Sequence, residues 1–282
     1  MNTIVGHNMV ISKGDTSVSD ALILMHRMGG NAMQIVLGEM TNIKDIIDIA
    51  PMDAQKACKI IDKYNKYIVV HGKYIYNFCH KDKIYYQDAL FKELVAANSF
   101  KADVIIHQGK NVNKLTAEEA RKTYANNIKS VIDMMKHNGL SNRIILENSA
   151  HQGTEIGYSL KELHQIWELF SIEERKYLGF CIDTCHIFVA GELDIRNPIK
   201  VTEWFNEFDN LIGKSHLKLI HLNDSTPDFN SHNDNHAALG KGFIGIDGLK
   251  CVAGICKKWN IPIIMETPQV NAQSEITMVS NW

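Results

Sequence analysis

The stretch GFCIDTCHIFVAGELD, residues 179–194, sets Asp183 and His186 three residues apart beside two cysteines, Cys181 and Cys185. Such side chains can ligate a metal, form a redox pair or close a salt-bridged turn. The grammar recurs along the chain as a short apolar run that ends in an ionisable residue. YIVVHG ends in His71, ADVIIHQG in His107, RIILENS in Glu147, LGFCID in Asp183, LKLIHLND in His221 and IPIIMETP in Glu266. A further close pair, Asp234 and His236, lies in NSHNDNHAALGKGFIG. Mixed imidazole and carboxylate ligands suit zinc, with manganese or iron as the alternatives, whereas calcium and magnesium prefer all-oxygen shells. With His186 these side chains exceed what one four-coordinate ion can use, so carboxylates shared in a multinuclear cluster are expected.

Something must bring these residues together. The six run ends are spaced 36, 40, 36, 38 and 45 residues apart. Each run is short and rich in Ile, Val or Leu, as a buried parallel strand requires. Helical segments lie between them: DALFKELVAANSF, TAEEARKTYANNIKSVIDMMKHNG with a Thr116–Glu119 capping box, SLKELHQIWELF with a Ser159 cap, and NPIKVTEWFNEFDNLIG. Upstream, TIVGHN and AMQIVLG supply two more strands around the helical SVSDALILMHRMG. Eight alternating units predict a (β/α)8 TIM barrel, an α/β fold, spanning residues 1–282 as one domain. All strands of such a barrel point one way, so their C-terminal ends gather the ionisable residues on a single face.

Composition sets limits. Apolar residues make up 45% and charged residues 22% of the 282, an ordinary balance able to fill a sizeable core. No apolar run reaches the length of a membrane span, and the N-terminus lacks a secretory signal, so a soluble intracellular protein is expected. Whether nucleus, cytoplasm or viral particle, the sequence does not distinguish. The six cysteines show no CxxC pair and are expected to be reduced packing residues. A formal net charge of −2 neither advertises nor excludes nucleic acid, because bound divalent ions would reverse the field that a substrate meets.

The ordered series HGKYIYN, HQG, ILEN followed by QG, GFCIDTCHIFVAG, HLNDS, DNHAALGKGFIG and METP resembles endonuclease IV, the three-zinc apurinic/apyrimidinic endonucleases, across nearly the whole chain. The resemblance implies that His71, His107 and Glu147 hold one zinc. Glu147 would bridge to a second, completed by Asp183, His221 and Glu266, and His186, Asp234 and His236 would hold a third. Mn2+ or Fe2+ could take one of these places. Glu147, as the bridge, becomes the expected catalytic residue. The implied substrate is double-stranded DNA containing abasic sites, cut on the 5′ side to leave a 3′-hydroxyl and a 5′-deoxyribose phosphate. A monomer needing no protein partner is the expected form.

Some features depart from the family. Its basic, aromatic-containing loop after the second strand is replaced by GEMTNI, Gly38–Ile43, and Ala237 stands where another histidine is common. Tyr74, in HGKY, matches a family tyrosine near the lesion, and Lys241, in LGKGFIG, offers a charge to a phosphate. His7 closes the first strand and is expected to point toward the site behind the ligands. His26, His137 and His164 fall in helical segments away from it. Two other functions remain open. A sugar isomerase on a similar barrel would favour a carboxylate-dominated pair of ions with a lysine or histidine for proton transfer. A binding protein using the barrel as scaffold would not require a complete ligand set.

Overall fold

Each apolar run becomes a parallel strand, and helices return the chain to start the next. The computed structural model describes residues 3–11 and 17–282. The first half comprises β1 (Val5–Met9), α1 (Val18–Arg27), β2 (Ala32–Val36), α2 (Pro51–Tyr64), β3 (Tyr67–His71), α3 (Tyr85–Asn98), β4 (Asp103–His107) and α4 (Ala117–His137). There follow β5 (Ile144–Glu147), α5 (Leu160–Trp167), α6 (Ile172–Arg175), β6 (Leu178–Asp183), α7 (Thr184–Val189), α8 (Pro198–Leu211) and β7 (Leu217–His221). A small hairpin, β8 (Asp224–Ser225) with β9 (His236–Ala237), precedes α9 (Gly245–Trp259), β10 (Ile263–Met265) and α10 (Ala272–Ser280). Strands β1 to β7 pair in sequence order and β10 closes the ring between β7 and β1, parallel throughout. This is the (β/α)8 barrel that the eight runs predict.

Two layers pack against the strands. Outward side chains such as Met33, Ile35, Ile68, Val70, Val104 and Ile106 meet the helices in one continuous core. Inside the barrel, Ala32, Val69, Ile105, Ile145, Cys181, Leu219 and Ile264 form a closed apolar ring. Side chains alternate faces along a strand, so the residue two further along points inward again. That next inward position holds Gln34, His71, His107, Glu147, Asp183, His221 and Glu266. The barrel interior thus passes from a dry ring to a polar ring within one pleat.

The same alternation corrects the placement of His7. Strand β1 runs on to Met9, so His7 lies on the outward pleat between Val5 and Met9, both core residues. Its Nε2 sits 3.0 Å from Thr267 Oγ1 and 3.5 Å from Glu275 Oε2 on α10, away from the polar ring. Gly6, one residue earlier, allows β1 to approach β2, since a Cβ there would fall 1.6 Å from the Ala32 carbonyl oxygen.

The helix ends follow local chemistry. Thr116 and Glu119 form the expected capping box on α4, and Ser159 accepts from the Glu162 amide to cap α5. SLKELHQIWELF is not helical to its end, because α5 stops at Trp167 and Ser171 opens α6 with its own capping box. Among the described residues no helix is long and apolar enough to cross a membrane.

Candidate metal centre

The aspartate and histidine of DTCH are joined by a helix cap. Asp183 ends β6 and is the N-cap of α7, its Oδ1 accepting from the His186 amide at 3.0 Å. Asparagines hold it from two sides: Asn148 Oδ1 accepts from the Asp183 amide at 2.7 Å, and Asn223 Nδ2 donates to Asp183 Oδ2 at 2.6 Å. The three-residue spacing therefore delivers a carboxylate at the strand tip and an imidazole one turn later, both buried.

All nine sequence-predicted ligands converge. Glu147 is central: its Oε2 lies 3.4 Å from His71 Nε2 and 3.6 Å from His107 Nδ1. Its Oε1 lies 2.7 Å from His221 Nδ1. That nitrogen also faces Glu266 Oε2 at 3.2 Å and Asp183 Oδ2 at 3.8 Å. Across the mouth, the Nε2 atoms of His186 and His236 approach the two oxygens of Asp234 at 3.1 and 3.2 Å. Potential ligand atoms lie within 4.8 Å of one another in His71–His107–Glu147, in Glu147–Asp183–His221–Glu266 and in Asp183–His186–His236. Glu147 links the first two groups, and Asp183 links the second to the third.

Hydrogen bonding fixes which nitrogen faces inward. The Nδ1 atoms of His71 and His186 each lie 2.8 Å from a backbone carbonyl, of Gly72 and Asn148, and can only donate there. His221 Nε2 lies 2.7 Å from Gln34 Oε1, whose amide nitrogen donates to Glu266 at 2.6 Å. In the neutral ring each inward nitrogen then carries a lone pair, aimed at a carboxylate. Two lone pairs at 2.7–3.4 Å repel unless a proton or a cation lies between them. His107 Nε2, Glu147 Oε2 and His236 Nε2 are moreover buried without any hydrogen-bond partner. Orphaned buried atoms, tautomers locked by carbonyls and four carboxylates facing neutral imidazoles are what divalent metal ions would resolve.

The electrostatics carry the same tension. Burial pushes Glu147 toward protonation, but the imidazoles of His221 and His107 overcome it and hold the carboxyl well below its usual range. Burial draws His107 down to about 4. Burial would also lower His236, yet Asp183 and Asp234 outweigh it and raise the ring to about 9. Asp183 is raised by its own burial. The thiols of Cys181 and Cys185 are pushed up to about 12 by burial, so both are neutral packing groups, Cys181 within the apolar ring.

Two cavities flank Tyr74, which is 57% exposed and stacked on His107 with centroids 5.2 Å apart. One, about 320 Å³, is lined by His107, Lys110, His186 and Asp234, and the other, about 540 Å³, by Val10, His236, Glu266 and Gln269. Lys241 is exposed on the turn after the hairpin. His26 of α1 stacks on Tyr64 of α2, and His164 of α5 sits beside Glu168 at that helix's end, both outside the cluster. Gln34, Asn148 and Asn223 are the participants that reading for ionisable residues passes over. The signal for Gln34 was available, since it stands two residues beyond Ala32 in the same inward register as the six run ends.

A barrel with a histidine–carboxylate cluster at its strand tips is the architecture of metal-using hydrolases and isomerases alike. The profile described as Xylose isomerase-like TIM barrel matches residues 22–277. A putative endonuclease 4 of Acanthamoeba polyphaga mimivirus is 34% identical over 100% of this chain and 94% of its own length. A probable endonuclease 4 of Campylobacter curvus is 27% identical over 89% and 88% of the two chains. The crystal structure of endonuclease IV from Thermus thermophilus superposes with a TM-score of 0.81, covering 98% of this chain and 97% of that one at 22% identity. A D-tagatose 3-epimerase-like protein shares the fold with a TM-score of 0.67 at 15% identity. The chain belongs to the endonuclease IV family and is a hydrolase of that class.

Proposed function

We propose that this chain is a zinc-dependent apurinic/apyrimidinic endonuclease of base excision repair, acting as a monomer. It hydrolyses the DNA phosphodiester 5′ to an abasic site and leaves a 3′-hydroxyl and a 5′-deoxyribose phosphate. The observation that carries this reading is the set of inward imidazole lone pairs facing carboxylates, in three linked groups. His71, His107 and Glu147 would hold one ion, and Glu147, Asp183, His221 and Glu266 a second. His186, Asp234 and His236 would hold the third. When bound, zinc neutralises the phosphate oxygens, lowers the pKa of a water and supports the departing alkoxide.

The chain's own residues set the stage for that chemistry. The carbonyls of Gly72 and Asn148 and the amide oxygen of Gln34 keep the imidazoles of His71, His186 and His221 in the ligating tautomer. Asn223 donates to both Asp183 and Glu266, at 2.6 and 3.2 Å, and holds the two carboxylates in register. Tyr74 offers an exposed ring to the helix where a base is missing, and the cavity beside His107 and His186 suits a baseless sugar-phosphate. Lys241 supplies charge for a neighbouring phosphate. A sugar isomerase would need a carboxylate-dominated site, and five histidines among the nine proposed ligands weigh against it. The test is a duplex with one abasic analogue incubated with fully metallated protein. A nick at the 5′ side is expected, and its absence contradicts the proposal.

A further inference from the structure

Lys73 is only 2% exposed. Its Nζ donates to the backbone carbonyls of Leu37 at 2.5 Å and Asp45 at 2.7 Å. Glu93 Oε1, on α3, lies 4.0 Å away, and the Tyr76 hydroxyl donates to the other Glu93 oxygen at 2.7 Å. A buried ammonium persists only where acceptors and countercharge replace its hydration. Here those partners come from both ends of one loop, residues 37–45, and from the helix behind it.

That loop is drawn tight in other ways. Gly38 adopts φ +89°, and a Cβ on it would fall 2.0 Å from the Asp45 carbonyl oxygen. The Glu39 amide donates to Asp45 Oδ2 at 2.9 Å. The Met40 carbonyl accepts from the Tyr74 amide at 3.0 Å. One buried side chain therefore fastens the loop, and the loop grips the backbone of the exposed ring that stacks on His107.

We propose that Lys73 is a positioning residue, clamping loop 37–45 to the β3–α3 connection so that Tyr74 is set over the cluster before DNA arrives. This rests on the abasic-DNA reading above. The GEMTNI stretch of the loop carries no basic residue, so it acts as a fixed wall, and ordering the site in advance lowers the entropy lost on binding. Lys73 spends its donors on carbonyls and does not reach the cluster, so the clamp governs substrate binding and leaves the chemical step alone.

The test compares the parent with Lys73→Met/Glu93→Gln, which removes both buried charges, and with Gly38→Ala, which disturbs the same loop through its own backbone. In the free, metal-loaded protein, hydrogen exchange of the Tyr74 amide should accelerate at least about tenfold in both variants. On an abasic duplex, KM should rise about tenfold while kcat and metal content stay within about twofold. Unchanged exchange, or faster exchange with unchanged KM, overturns the proposal, as does an equal loss in kcat. Should the double variant fail to fold in a thermal melt, Gly38→Ala decides alone by the same criteria. If the parent does not nick, the abasic-DNA reading has failed, and the exchange arm still judges the clamp.

Discussion

Two rings inside the barrel lie one pleat apart on the same strands and do opposite work. The lower ring, Ala32, Val69, Ile105, Ile145, Cys181, Leu219 and Ile264, is dry and apolar and makes a plug. The upper ring, Gln34, His71, His107, Glu147, Asp183, His221 and Glu266, stands two residues further along each strand and is crowded with lone pairs. The strand backbone does not tell them apart. The lower ring is stabilised by removing surface from water, whereas the upper ring is left with buried groups that only protons or metal ions can reconcile. The fold spends its apolar residues on closure and places its reactive ones immediately above, where the plug prevents collapse around them.

Substitutions in the two rings should therefore fail in different ways. The largest effect is expected at Glu147. Glutamine keeps its shape but loses a charge and one ligating atom, so the first two groups no longer share a carboxylate. Single-turnover nicking should fall at least about 10³-fold, roughly 4 kcal/mol of barrier, with the thermal melt little changed. Nicking within tenfold of the parent would remove Glu147 from its bridging role. Directly below it, Ile145→Ala should do the reverse. Emptying a fully buried position should cost about 2–5 kcal/mol of stability by denaturant titration, while metal content and turnover of the folded fraction persist.

Smaller effects sharpen the contrast at the rim. Tyr74→Ala should weaken abasic-DNA binding by about 1–3 kcal/mol if the ring stacks in the damaged helix, and an unchanged Kd would return Tyr74 to an ordinary loop residue. With no basic residue in GEMTNI, binding should weaken with salt along a shallow slope, because the slope counts neutralised phosphates. The mildest effect is a pH dependence confined to chelator-treated protein. His236 is raised to about 9 without metal, against its neighbouring carboxylates, so the stability it contributes is complete below pH 6.5 and is lost as pH rises through 9. The melting temperature of the metal-free protein should fall by a few degrees over that interval. Metal-loaded protein, whose ligands are already deprotonated, should not follow it.

The sequence revealed the barrel because each short apolar run ends in an ionisable residue, and period-2 alternation then aims that residue inward. His7 shows where this reading slips. A histidine near the end of VGHNM looks like the other strand-end histidines, but the strand continues to Met9 and the parity turns His7 outward to Thr267. Gln34, Asn148 and Asn223 were passed over for another reason: amides carry no ionisable signature, so only the strand register of Gln34 marks any of them, and their roles arise from contacts with residues 35 to more than 200 positions away. Helix α2 was weakly marked, since its buried face is only Ala54, Ala57 and Ile61 amid charged residues. Lys73 sits inside a recognised motif, yet its burial depends on a loop closure that no local pattern displays.

The central claim is that the upper ring and its rim hold a multinuclear site built on shared carboxylates. Elemental analysis of purified, chelator-free protein addresses it most directly, with the ion count taken per folded chain. The account predicts about three divalent ions, mainly zinc, one for each linked group of ligands. A reproducible value near one ion per chain would contradict it.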